Sequence, residues 1–334
     1  MLLVIPIFIP HRGCPHHCLF CNQEKISGCA DDVADRRDIS EIIDLWLARS
    51  PLKKKVQVAF YGGSFTCLPT REQAAMLAAV QPYLAAGKVD CIRLSTRPDC
   101  ISLEICEVLR EFRVGVVELG VQSFNNDVLA ENRRGHDAEQ CRTAFALLKA
   151  AGMEVGLQLM PGLPGETHGS FLRGIDEVVM MRPDFVRLYP VLVVKESGLE
   201  ELYRQNRYQP QSLNQAIALT ARAYTKLQAA GIKVVRMGLQ PSESLSKNFV
   251  AGPYHPAFGE LVLSRLWLKG IRARLAQLAP TENLCLHISH RDHGAVVGMK
   301  RSNIQRLEEL GFSGRFTILP DKSMPRGCIK YVVC

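Results

Sequence analysis

The chain has 334 residues, 47% of them hydrophobic, a mean hydropathy of +0.01 and a net charge of +8 at neutral pH. That balance excludes a disordered chain and a membrane-embedded one, and it suffices for one large α/β domain with a smaller companion. Twelve cysteines in a chain this long do not make a disulfide scaffold. They point to a reducing cytoplasm in which most cysteines are free thiols and any tight cluster serves metal or catalysis.

The opening MLLVIPIFIP is too short to span a bilayer and lacks a basic flank and a small-residue cleavage site, so it reads as a first strand over 2–9. With no targeting signal and no membrane segment, the expected location is cytoplasmic. Next comes HRGCPHHCLFCNQ, residues 11–23, with Cys14, Cys18 and Cys21 in C-x3-C-x2-C spacing. Further strand-like runs lie at 56–63, 89–96, 114–123, 154–161, 185–194 and 233–239. Amphipathic helical patterns fall between them at 39–49, 71–84, 102–112, 138–152, 170–181 and 212–231. Gly87, Gly152 and Gly231 sit just past helical runs, where a left-handed cap is needed.

This alternation predicts parallel strands joined by crossover helices. The near-continuous apolar strands predict a sheet covered on both faces. Six or seven such units make an open doubly wound sheet or a whole or partial barrel, whose chemistry gathers at the C-terminal strand ends. The unusual residues do fall there. The cysteines follow strand one, Gly62–Gly63 ends strand two, and Ser95–Thr96–Arg97 ends strand three. Gln122–Ser123 ends strand four and Met160–Pro161–Gly162 ends strand five.

From about 241 the pattern changes. Residues 241–260 read as a Ser-, Pro- and Gly-rich linker. A helix over about 257–278, a strand at 283–289, a helix over 302–310 and strands at 316–320 and 328–333 follow. The expected division is therefore 1–240 and 241–334. From Pro241 onward there are 13 Lys plus Arg against 7 Asp plus Glu, hence +6 of the total +8. Such a tail suits a polyanion such as RNA, or is simply a solvated surface.

Two metals suit the three cysteines. Zinc would need a fourth ligand from His16, His17 or Cys29. A 4Fe–4S cluster takes cysteine thiolates, and three of them leave one iron open to a small molecule. Otherwise His11, His16 and His17 are surface residues of the loop. Cys91, Cys100, Cys106 and Cys141 read as small buried hydrophobes, and Cys328 and Cys334 as free thiols. Cys285, His287, His290 and His293 form a second metal candidate, though positions just after a strand need no metal.

The C-x3-C-x2-C run, with Phe20 before its last cysteine and Gly62–Gly63 closing strand two, resembles the signature of the radical S-adenosylmethionine (SAM) superfamily. The resemblance implies a partial (βα)6 barrel with a small C-terminal α/β appendage. It also implies a 4Fe–4S cluster on Cys14, Cys18 and Cys21 and SAM on the open iron. Reductive cleavage of SAM, fed by an external electron donor, would give a 5′-deoxyadenosyl radical that abstracts hydrogen from a substrate. Around the SAM it places Gly62 and Gly63 at the ammonium, and Ser95, Arg97 and Gln122 at the ribose and carboxylate. The Met160–Pro161 turn falls at the adenine edge.

Within that superfamily STRPD (95–99), VELGVQSFNNDVL (117–129), NRRGH (132–136), 148–165 and 182–210 resemble the radical SAM half of the Elongator catalytic subunit. That family has a longer first cysteine gap, a glutamate at the Ser95 position and an acetyltransferase half for which 334 residues leave no room. It implies a tRNA base as substrate. A weaker similarity is to oxygen-independent coproporphyrinogen oxidase, which implies a tetrapyrrole or other small metabolite. Its fourth cysteine is replaced here, since Asn22–Gln23 follows Cys21. Residues 295–321 resemble the glycine-loop half of a KH module, implying phosphate contacts from Gly298, Lys300, Arg301 and Asn303, with Arg301 in place of the second glycine. A surface helix is the plain alternative. A reading of another class is a zinc-stabilised RNA-binding protein without catalysis.

Overall fold

The structure, a computed structural model, describes residues 2–9, 12–27, 36–50 and 55–333. The chain divides into two compact units, Met1–Ala216 with Ala223–Tyr254, and Ile217–Arg222 with His255–Cys334.

The first unit is built on seven parallel strands: β1 (Leu2–Phe8), β2 (Lys55–Tyr61), β3 (Cys91–Thr96), β4 (Val114–Gln122), β5 (Glu154–Leu159), β6 (Phe185–Leu188) and, after the short β7 (Val193–Val194), β8 (Lys233–Met237). Their order is β1-β2-β3-β4-β5-β6-β8, the curled half-barrel expected, with β8 supplying a seventh strand. Sequence-local signals set the crossovers. Asp137 opens the helix Ala138–Ala150 with a capping box, its carboxylate accepting from the Gln140 N–H while the Gln140 side chain accepts from the Asp137 N–H. Gly152 then turns the chain at φ 82°.

The apolar run 185–194 is not one strand. Pro190 has no N–H to give the ladder, and the chain leaves the sheet after Leu188. β7 pairs instead with β9 (Phe249–Ala251), antiparallel. The expected linker over 241–260 is therefore partly structured, and its residues 241–254 belong to the first unit. A helix at Glu243–Asn248 sends Ser242 and Ser244 hydroxyls to the carbonyls of Ile26 and Lys25.

The two sheet faces also differ from expectation. One is apolar, with Phe60, Leu94, Val117 and Val155 in register across β2 to β5, and Leu119, Leu157 and Val186 in the next row across β4 to β6. The other is polar: Tyr61, Arg93, Ser95, Glu118, Gln158, Arg187 and Arg236 share it. Burial of these groups is tolerated because they pair. Glu118 receives Arg187 at 2.6 Å and Arg93 at 3.3 Å, with the Tyr61 hydroxyl at 3.2 Å. Gly156 is glycine for a local reason, since a Cβ there would lie 2.1 Å from the Phe185 ring, on which Arg93 stacks. Continuous apolarity in the one-dimensional sequence hid this because only some positions alternate.

The second unit has a helix Phe258–Leu275, β10 (Leu284–Ser289), a helix Ser302–Leu307, β11 (Phe316–Asp321) and β12 (Ile329–Val333) where these elements are expected, and adds a short helix His293–Val297 that the sequence pattern did not show. Its sheet runs β11-β10-β12, parallel between β10 and β11 and antiparallel between β10 and β12. Ile271, Leu275, Leu284, Leu286, Ile288, Val296 and Leu307 form its core.

Candidate functional site

The cysteine loop lies at the C-terminal ends of the strands and is fixed at both ends. On one side Ser64 donates its N–H to the Arg12 carbonyl. The approach is so close that a Cβ on Gly13 would sit 2.3 Å from the Ser64 carbonyl, and one on Gly63 2.3 Å from that of Arg12. Gly63 is thus required by packing against this loop, and Gly62 by its φ of 101°. On the other side Leu19 donates to the Asn132 carbonyl and accepts from Leu199 N–H, while Phe20 packs with Val128, Leu163, Val193 and Leu199.

Cys18 is buried, and Cys14 and Cys21 are half-buried. Burial pushes the Cys14 thiol up. It pushes Cys21 up to about 12, with the charge of Cys18 and Cys14 adding to the effect. Such thiols ionise only when a metal takes the charge, releasing protons on binding. Two guanidinium groups face them: Arg134 Nη1 is 3.1 Å and Arg97 Nη1 3.9 Å from Cys18 Sγ. Among the described residues no three His, Cys, Asp or Glu side chains converge as a single-ion site requires. Ligands of a four-iron cluster each hold a different iron and need no common centre.

The expected SAM-side residues are distributed as follows. Gln122 is buried at a left-handed φ of 70°, and its Oε1 has no hydrogen-bond partner, a buried acceptor that a ligand hydroxyl would satisfy. Ser95 is half-buried on the polar face beside Glu118. Arg97 is committed elsewhere. It grips Asp99 through two 2.9 Å bonds and donates to the Arg134 carbonyl, leaving Nη1 for the cysteine. Met160 N–H and Pro161 O are held by Gln122 O and Val191 N–H, so these two atoms shape the turn.

Four contributors were not assigned from the sequence. Arg134 is buried over the Phe20 ring, bonds Gly120 O at 2.6 Å, and keeps a buried Nε with no partner. Its only sequence signal was the NRRGH run. Asp99 and His136 complete the network behind it. Burial alone would raise the Asp99 carboxyl, but bonds from His136 and Arg97 and their charge hold it well below the usual range. Burial lowers His136 despite that partner. Glu166 lies behind the 160–165 turn, accepting from Gly162 N–H and Ser123 Oγ at 3.0 Å. Burial pushes it up to about 7, against those bonds.

The cysteine assignments need one correction. Cys100 is disulfide-bonded to Cys67, Cα to Cα 5.2 Å, because the turns after β2 and β3 lie side by side. Cys106 and Cys141 are buried thiols, Cys91 is half-buried, and Cys328 is free and exposed. His16 and His17 are exposed, with Gly135 against the His16 ring. His11, Cys29 and Cys334 lie outside the described residues. In β10, Cys285 and His287 are half-buried while His290 and His293 are exposed, and they form no metal-holding group among the described residues.

The Radical SAM superfamily pattern matches residues 8–178, just over half the chain, and a Radical SAM C-terminal domain pattern matches 183–267. The chain belongs to the radical SAM superfamily. It is therefore an enzyme of a family that uses a 4Fe–4S cluster and SAM, which sets aside the non-catalytic zinc reading. It is 30% identical to the tRNA uridine(34) acetyltransferase of Methanocaldococcus infernus over 81% of its own length and 57% of that protein's. Identity to Elongator complex protein 3 of Drosophila melanogaster is 29%, over 50% of this chain and 34% of the relative. The chain thus spans little more than half the length of the longer-matching relative. Among solved structures, M. infernus Elp3 with an N-terminal deletion superposes with a TM-score of 0.63 at 22% identity, over 81% of this chain and 64% of that one. Escherichia coli coproporphyrinogen III oxidase (HemN) superposes with 0.53 at 19%, over 80% and 58%. At these identities both similarities speak for the fold alone.

The donor set fits the family's cofactors. Thiols are the cluster's ligand type, and the orphaned Gln122 Oε1 and Arg134 Nε lie among residues of the same strand ends.

Proposed function

We propose that this enzyme modifies a uridine of tRNA by hydrogen abstraction in the cytoplasm. The observation that carries the reading is the 30% identity to a tRNA uridine(34) acetyltransferase over four-fifths of the chain, joined to a site whose residues suit radical SAM chemistry. When bound, the cluster and SAM supply the radical that takes the hydrogen, with electrons from an external donor.

The chain's own residues bind, orient and seal. Cys14, Cys18 and Cys21 are the cluster ligands of this reading. Arg134 and Arg97 neutralise charge on the Cys18 side, and Arg134 keeps its Nε to donate to a ligand oxygen. Gln122 accepts from a ribose hydroxyl, and Ser95 offers its own hydroxyl from the polar face. The carbonyls of Gly62 and Gly63 receive an ammonium. Glu166 and Tyr208, which donates to Gly162 O at 2.7 Å, hold the 160–165 turn in shape for an adenine edge. The apolar group of Phe20, Leu163 and Val191 keeps water from the cysteines.

The test compares modified tRNA nucleosides by mass spectrometry in cells with and without the gene, alongside reductant-dependent formation of 5′-deoxyadenosine by the reconstituted protein. A uridine derivative missing in the deletion strain is expected. An unchanged nucleoside profile with intact SAM cleavage would replace tRNA with another substrate.

A further inference from the structure

We propose that the second unit carries its own RNA-backbone site, formed by the loop Gly298–Met299–Lys300–Arg301 and the cationic flank of the helix Phe258–Leu275. This rests on the tRNA reading for the choice of RNA among polyanions.

The loop joins two helices that stand between the parallel strands β10 and β11. Strand, helix, glycine loop, helix and strand is the plan by which KH modules clamp nucleic-acid backbone. The sequence offered only one of the two loop glycines. The backbone supplies the rest: Gly298 has φ 80°, and Lys300 and Arg301 have φ 51° and 64°. Arg301, at the second glycine's place, therefore adopts the conformation that glycine would. Two successive long cations in the left-handed region are sparsely populated backbone, which persists where the surroundings over-determine it.

The surroundings do so here. A Cβ on Gly298 would lie 2.6 Å from Ser302 Oγ and 2.8 Å from Asn303 N. Asn303 is buried and donates to the carbonyls of Ser264 and Val296, both at 3.0 Å. The loop is thus fixed before any ligand arrives, which lowers the ordering loss on binding. Asn303 has a structural role in this arrangement and makes no phosphate contact.

Charge selects the ligand. Residues 255–334 hold 12 Lys plus Arg against 6 Asp plus Glu. Three of the acids are already engaged, Glu260 and Asp292 by Arg326 and Glu309 by Arg306. Lys300 and Arg301 are exposed and form no ion pair among the described residues. Next to Ser264, Arg265 begins an exposed stripe with Lys269 and Arg272, spaced by four and three residues on one helix face without an intervening acid. Arranged cations without partners, on a preformed loop, suit successive phosphates rather than a single small anion.

The experiment measures binding of the full chain to unmodified tRNA and to single-stranded RNA, by fluorescence anisotropy across a salt series. Lys300→Asp/Arg301→Asp keeps a residue tolerant of left-handed backbone and reverses the charge. We expect affinity to fall about tenfold or more and the log–log salt slope to shrink by roughly 1 to 2, at about 0.7 per single-strand phosphate contact. Lys88→Asp/Arg110→Asp, the same charge change on the other unit, should leave both nearly as in the parent. Circular dichroism and a neutral Lys300→Asn/Arg301→Asn variant guard against misfolding. Unchanged RNA affinity in the loop variants, equal loss in the control, or binding to phosphatidylserine vesicles but not to RNA would overturn the proposal. The nucleoside comparison above judges the tRNA reading separately, so either can fail alone.

Discussion

The two units use arginine in opposite ways. In the first, Arg97 and Arg134 are buried to within a few per cent, gripped by Asp99 and backbone carbonyls, and aimed at Cys18. In the second, Lys300, Arg301, Arg265, Lys269 and Arg272 stand in solvent without a counter-ion among the described residues. A buried, paired cation fixes geometry and is insensitive to salt, whereas an exposed one attracts a mobile polyanion and is screened. Under the proposals above, this difference separates a site that orients one cofactor from a surface that gathers a long substrate.

Four substitutions test that contrast. The largest effect is expected for Cys18→Ser. Loss of the ligand between the two guanidinium groups should abolish the iron–sulfur visible absorption after anaerobic reconstitution, and SAM cleavage with it. Retained iron and absorption would remove Cys18 from the ligand set.

Next is Asp99→Asn, which leaves Arg97 facing a neutral amide inside the protein. Breaking a buried pair from one side costs about 3–5 kcal/mol, here measured as a fall in denaturant midpoint. Because the Asp99 carboxyl is held low in the folded state, its contribution is complete above the ordinary carboxylate range. It is lost as pH falls through its depressed value. The variant should therefore lose the parent's acid-induced destabilisation at that step, while a surface pair such as Lys247–Glu243 should matter little.

Glu166→Gln has the opposite sign. Its folded value of about 7 lies above the unfolded one, so its stabilising contribution is complete below about pH 4 and is lost as pH rises through 7. The parent should weaken by about 3 kcal/mol relative to the Gln variant between pH 4 and pH 8, read from paired denaturation curves. Parallel curves would mean that Glu166 ionises freely.

The smallest effect is at Arg301→Gly. Removing a side chain from left-handed backbone should raise stability by up to ~1 kcal/mol while weakening RNA binding, a pair of readouts that a plain surface arginine would not give together.

Much of the site was legible because its signals are local. C-x3-C-x2-C is a spacing, strand ends follow from the βα rhythm, and caps such as Asp137–Gln140 are three residues apart. Arg134 was not legible, although NRRGH stood in view, because its role comes from Gly120 O and Cys18 meeting it across strands. The Cys67–Cys100 bond needed the adjacency of two turns 33 residues apart. The 185–194 run misled because apolarity does not show where Pro190 takes the chain out of the sheet. Residues 241–260 read as linker because Ser and Asn look like loop until their partners, Lys25 and Ile26, are known.

The order of elements, the class of fold and the spacing of the three cysteines could be read along the chain, since periodicity and short spacings are properties of neighbouring residues. Which face of the half-barrel is polar, which guanidinium groups reach the cysteines and that Arg301 takes a glycine's conformation emerge from the folded chain. Those depend on groups distant in the chain being brought within a few ångströms, where burial and charge act on all of them at once.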